Sequence, residues 1–149
     1  MYKRQIPEFD KNSGIVNIEL FGLESMNTDE FKSMMDQSNI TSKSTHVSYE
    51  SLTDPSDIID RAKKMNIKHI IVPAPPARKD AEFKNTFDMN EEEWIEFGKK
   101  LTSYVTVFED AGLTLGYHNH SYEFKALPSG KLPIECMICL LYTSPSPRD

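Results

Sequence analysis

The chain has 149 residues and a formal charge of −6 at pH 7, enough for one small domain. Its acidic balance argues against a nucleic-acid backbone as partner, and no apolar run approaches the ~18 residues that a membrane span needs. Of its two cysteines, only Cys136 precedes residue 139, so no disulfide framework is expected there.

In chain order, residues 15–21 are apolar and β-branched and run into Gly22, which predicts a strand. Thr28 is read as a helix cap, with Asp29 and Glu30 in the first turn and Phe31, Met34 and Met35 on one face. Residues 41–47 form a second, more polar strand. Asp54-Pro55 opens a second helix with Pro at its first position, and Ile58, Ile59, Ala62 and Met65 give it an apolar stripe. Residues 67–72 are a buried strand that Pro73 stops. A loop covers residues 74–90, too long for a bare connection and of the length that serves as a lid. Asn90 caps a third helix over residues 91–110, with Trp94, Phe97, Leu101, Tyr104, Val105 and Phe108 on its apolar positions. Ala111-Gly112 ends it, and residues 113–116 form a fourth strand.

Strand and helix in alternation predict an α/β protein with a parallel sheet. The spacing fits part of a (β/α)8 TIM barrel, with a doubly wound open sheet as the rival. No strand is followed by a Gly-rich phosphate turn, so a dinucleotide site is unsupported.

The chemistry gathers after the fourth strand, in Tyr117-His118-Asn119-His120-Ser121-Tyr122-Glu123-Phe124. His118 and His120 are two residues apart, so on an extended chain they face the same side. Glu123 follows three residues later. The set could begin a divalent-metal site or an acid–base site, and Gly116 removes bulk beside it. In α/β barrels the site lies at the C-terminal ends of the strands, where Glu19 and His46 also fall. Each has a plainer alternative: Glu19 as a surface ion-pair partner, His46 as a hydrogen-bonded core residue. His69 lies inside its strand and is read as structural. Arg78 and Lys79 in the long loop could meet a substrate oxygen or phosphate, or could simply be solvated. Glu91, Glu92 and Glu93 are explained by the helix dipole, and Trp94 is read as core.

The two ends match no neighbouring element. Back-translation links them: GTG TAT AAG AGA CAG encodes residues 1–5 if GTG is the start codon, and its reverse complement, in another frame, encodes Cys139-Leu140-Leu141-Tyr142. That word resembles the end of a transposase-based sequencing adapter. The expectation is therefore a genuine segment over residues 6–138, with adapter-encoded tails at 1–5 and 139–149. Setting the ends aside removes Lys3, Arg4 and Arg148 against Asp149 alone, so the remainder is more acidic still. No signal peptide is visible, and a cytoplasmic location is expected.

Ile18-Glu19-Leu20-Phe21-Gly22, Ser44-Thr45-His46-Val47, Ile71-Val72-Pro73 and Leu115-Gly116-Tyr117-His118-Asn119-His120 with Tyr122-Glu123-Phe124 together resemble the sugar phosphate isomerase/epimerase family, whose members are xylose isomerase-like TIM barrels. Gly130-Lys131-Leu132-Pro133-Ile134 looks like the segment that leads into the next helix there. The resemblance spans most of residues 14–133, and the histidine run is its most specific part. It implies a bacterial-type enzyme of carbohydrate metabolism with a divalent metal, commonly manganese, held by Glu, Asp, His and Glu from successive later strands. Glu123 matches the first of these ligands. His120, with His118 as a second candidate, matches an acid–base or substrate-contact position, and Glu19, His46 and Arg78 would line the sugar site. Related barrels also act as lyases on oxidised glycosides or as apurinic endonuclease-type metal nucleases, and a non-catalytic sugar-binding domain is a further alternative. The remaining metal ligands have no counterpart in this sequence. By this count the chain holds about strands two to five of the barrel, and alone it is expected to be aggregation-prone and inactive, because its sheet edges and helix faces stay open.

Overall fold

The computed structural model describes residues 14–76 and 89–138. Strands β1 (Asn17–Phe21), β2 (Thr41–His46), β3 (His69–Val72) and β4 (Thr114–Tyr117) alternate with helices α1 (Thr28–Ser38), α2 (Pro55–Met65) and α3 (Glu91–Asp110). A short helix, α4 (Pro133–Ile138), follows β4. All three strand pairs are parallel, in the order β1-β2-β3-β4. A doubly wound sheet reverses its direction of growth at a switch point. Among the described residues this sheet never reverses, which is the order of a barrel wall. Arg78 and most of the loop after β3 lie outside the described residues, as do both expected tails.

Local chemistry sets the helix boundaries. Asn27, rather than Thr28, caps α1: its side chain accepts the Glu30 N–H at 3.3 Å. Thr28 is the first helical residue and is buried. The amide oxygen of an extended Asn reaches the third helical N–H as well as a Thr hydroxyl would, and Thr28 is committed to packing. Asp54 caps α2 with Pro55 at its first position. Asn90 and Glu93 close a reciprocal capping box on α3, which satisfies two N–H groups the helix would otherwise leave open. Helices α1 and α2 each end on an asparagine in the left-handed region, Asn39 and Asn66, a conformation Asn tolerates better than most residues.

The helices cover one face of the sheet. Leu20, Thr45, Ile70 and Val72 point into that layer and are buried, with Val47 just past β2. Ile58, Ala62, Trp94, Phe97, Leu101 and Phe108 meet them from the helices. Gly98 lets α4 approach α3 so closely that an added Cβ would sit 2.5 Å from the Met137 carbonyl oxygen. The opposite face carries Glu19, Phe21, Ser44, His46, His69 and Thr114. Phe21 is 73 % exposed there. His69 hydrogen-bonds Thr114 across to β4, Nδ1 to Oγ1 at 2.8 Å. No helix among the described residues is long and apolar enough to cross a membrane.

Candidate active site

Register brings the C-terminal strand ends level. Phe21 pairs with His46, His46 with Ile71, and Val72 with Tyr117. The ladder continues one residue further, with the His118 N–H donating to the Val72 carbonyl at 3.0 Å. Side chains two residues apart share a face, so Glu19 and Phe21 of β1, Ser44 and His46 of β2, and His118 after β4 reach the same open surface.

On that surface the rings form a continuous chain. The Phe21 and His46 rings lie 5.8 Å apart edge to face, His46 and His118 5.0 Å, and His118 and His120 4.9 Å. His120 stacks on Tyr122 at 5.2 Å, and Tyr122 leans on the buried Trp94 at 6.4 Å. His118 and His120 are exposed, so two imidazoles face solvent over the strand ends. His46 is mostly covered.

Glu19 contacts His46 rather than a lysine: its Oε1 lies 2.9 Å from His46 Nε2, and its Oε2 accepts the Ser44 hydroxyl at 2.5 Å. The Glu19–His46 contact is close but off the direction of the ring N–H, so His46 Nε2 has no aligned hydrogen bond and is shielded from solvent. The attraction there is one of position and charge rather than a directed bond.

Glu123 sits in a single 3-10 turn, Tyr122–Phe124, and is fully buried. Its Oε1 accepts the Tyr117 hydroxyl at 2.6 Å and its Oε2 the His120 N–H at 2.7 Å. The Tyr122 hydroxyl meets His120 Nδ1 at 3.2 Å. Burial, then the bond to Glu123, pushes the Tyr117 hydroxyl far above the usual tyrosine range, so it stays a donor. Burial pushes Tyr122 up to about 12. The carboxylate therefore works as an internal brace, tying the 118–123 turn to β4 and fixing the backbone of His120.

That brace bears on the metal the resemblance implies. Among the described residues no three His, Cys, Asp or Glu side chains converge as a cation site. Glu123 has both oxygens engaged by protein donors and no exposed surface. The described residues do not by themselves fit a divalent metal.

Sequence reasoning brought His46, His118, His120 and Glu19 to one surface, and the structure places them together there. It missed Tyr117, Ser44 and Phe21. Ser44 and Phe21 were findable, since each lies two residues from a residue already singled out. Tyr117 was not: nothing in its spacing to Glu123 says that a turn will fold the carboxylate back onto it.

No family model matches the chain, and no curated protein does. Among solved structures the fold is similar to a sugar phosphate isomerase/epimerase from Parabacteroides distasonis ATCC 8503, with a TM-score of 0.69 and 18 % sequence identity over 93 % of this chain. The chain spans 55 % of that protein's length. At that identity the likeness speaks to architecture: the chain folds as part of a (β/α)8 barrel.

Proposed function

We propose that this chain is part of an isomerase or epimerase that acts on a sugar or sugar phosphate by moving a proton at the carbon next to a carbonyl. The observation that carries the reading is the His46–His118–His120 ring chain, set over the C-terminal strand ends of a barrel-type sheet. In such a reaction a base breaks the C–H bond, the electron pair passes into an enediolate, and the proton returns to the other face or to the neighbouring carbon. His118 and His120 are exposed at that surface and imidazole both takes and gives protons. Glu19 and Ser44 fix His46, and Glu123 fixes the turn carrying His120. Arg78 remains a proposed substrate contact.

The divalent metal of the proposal, manganese by the resemblance, requires ligands from outside the described residues. Glu123 could contribute only after Tyr117 gives up Oε1. Chelation of the whole protein that carries this segment tests that part separately. The residues 6–138 are proposed as the barrel segment, so the isolated 149-residue chain should aggregate and turn nothing over.

The test is NMR of ketoses and aldoses in deuterated water with the whole protein. Exchange of the proton next to the carbonyl supports the reading. Loss of a β-substituent without exchange into recovered substrate would indicate a lyase. Binding without exchange would leave a sugar-binding domain, and cleavage of abasic DNA would indicate the nuclease.

A further inference from the structure

Beside the histidine chain lies a cavity of about 260 Å³, bounded by the turns after β1 and β2 and by Pro73 and Pro75 after β3. It is slightly smaller than the ~300 Å³ at which drug-sized pockets begin, which suits part of one sugar ring. Gly22, in the left-handed region at φ 75°, turns the chain out of β1 and sets Glu24 against this space. Glu24 Oε1 accepts the Ser48 N–H at 3.0 Å and so bridges the two turns. Its Oε2 is buried and has no hydrogen-bond partner. His46 lines the same cavity, with its Nε2 2.9 Å from Glu19 Oε1. A buried polar atom without a partner is costly, and one beside a cavity calls for a ligand or water that supplies a hydrogen bond.

The character of the lining restricts that ligand. Its charged side chains are the carboxylates of Glu24 and Glu50, and none of its described residues is Lys or Arg. Carboxylates accept hydrogen bonds and do not donate them. Among the described lining residues a phosphate would meet like charge, whereas a hydroxyl would donate. Phe21 and the two prolines offer apolar surface to the C–H face of a ring.

We propose that this cavity is the subsite for an uncharged, hydroxyl-bearing end of the sugar, with Glu24 as the residue that selects it. The inference rests on the sugar-isomerase reading above and sharpens it, since it places any phosphate away from this end. The sugar end donates a hydroxyl to Glu24 Oε2.

The test measures dissociation constants of D-fructose and D-glucose against their 1- and 6-phosphates, by saturation-transfer NMR or calorimetry, for the whole protein and for Glu24→Gln. Gln keeps an oxygen for the Ser48 N–H, and circular dichroism checks that the fold is retained. The expected result is that the phosphate isomer whose phosphate would fall in this cavity binds more weakly than the neutral sugar, while the other isomer does not, and that Glu24→Gln weakens neutral-sugar binding roughly 10- to 100-fold, the scale of one hydrogen bond to a charged acceptor. Equal or tighter binding of both phosphates, an unchanged constant in the variant, or no binding of any of these sugars overturns the proposal. Proton exchange is read separately. Selective binding without exchange would sink the isomerase reading and keep the subsite; exchange without selectivity would do the reverse.

Discussion

Replacing Tyr117 by Phe removes one hydroxyl and leaves a ring that still packs edge to face on Phe97, 5.7 Å away. The hydroxyl lost is the donor to Glu123 Oε1 at 2.6 Å, near the short end of the range for O–H···O bonds. The acceptor is fully buried, so water cannot replace the donor without opening the turn. A hydrogen bond to a charged group of this kind contributes about 1.5–3 kcal/mol, and Tyr117→Phe should cost that much in urea unfolding of the whole protein. Tyr117→Phe also alters the hydroxyl's contact with Tyr122, so the single variant does not isolate the bond. A double-mutant cycle with Glu123→Gln does, since Gln keeps an oxygen for the His120 N–H. The coupling energy should exceed about 1 kcal/mol. A value within about 0.5 kcal/mol of zero, the scatter of independent sites, would refute the view of Glu123 as an internal brace.

Other consequences follow from the same geometry. Gly98→Ala would drive a Cβ to within 2.5 Å of the Met137 carbonyl oxygen and 3.1 Å of its Cα. Backbone cannot rotate aside, so overpacking of about 1–3 kcal/mol should outweigh the ~1 kcal/mol that Ala gains over Gly in a helix, and urea midpoints should fall. Asn90→Ala removes the side-chain half of the α3 capping box, the Asn90 Oδ1 that accepts the Glu93 N–H, and should cost about 1 kcal/mol, read by the same assay; no loss would mean that the cap is idle. Alkaline titration should reveal Tyr122. Its folded pKa of about 12 exceeds the ordinary value of 10.0, so its contribution is full below pH 10, where both states are protonated. Above that the unfolded state ionises first, and stability should decline until pH 12. Tyrosinate absorbance with no group ionising near the upper end of that window would contradict this.

The fold was legible because its signals are local. The Ile70 and Val72 strand, the Pro55 helix start and the Asn90 cap each announce themselves within a few residues, and their alternation leaves few parallel topologies open. The first helix shows the limit. Asn27 and Thr28 are both good caps, and only burial of Thr28 decides between them. The site was half legible. Glu19, His46, His118 and His120 meet because period-two alternation and strand ends can be read from sequence. The buried role of Glu123 depends on a turn that brings residues 117 and 123 together. The cavity beside Glu24 depends on three turns from separate strands, and no local pattern carries that.

The most direct test of the central claim is deuterium wash-in at the carbon next to the carbonyl, compared between the whole protein and its His118→Asn and His120→Asn variants with the sugar that the binding assay identifies. If the exposed imidazoles move the proton, at least one substitution should slow exchange by about 10²–10⁴-fold while leaving the urea midpoint unchanged. Exchange at the wild-type rate in both variants, or none from any sugar with the unmodified protein, would contradict the account.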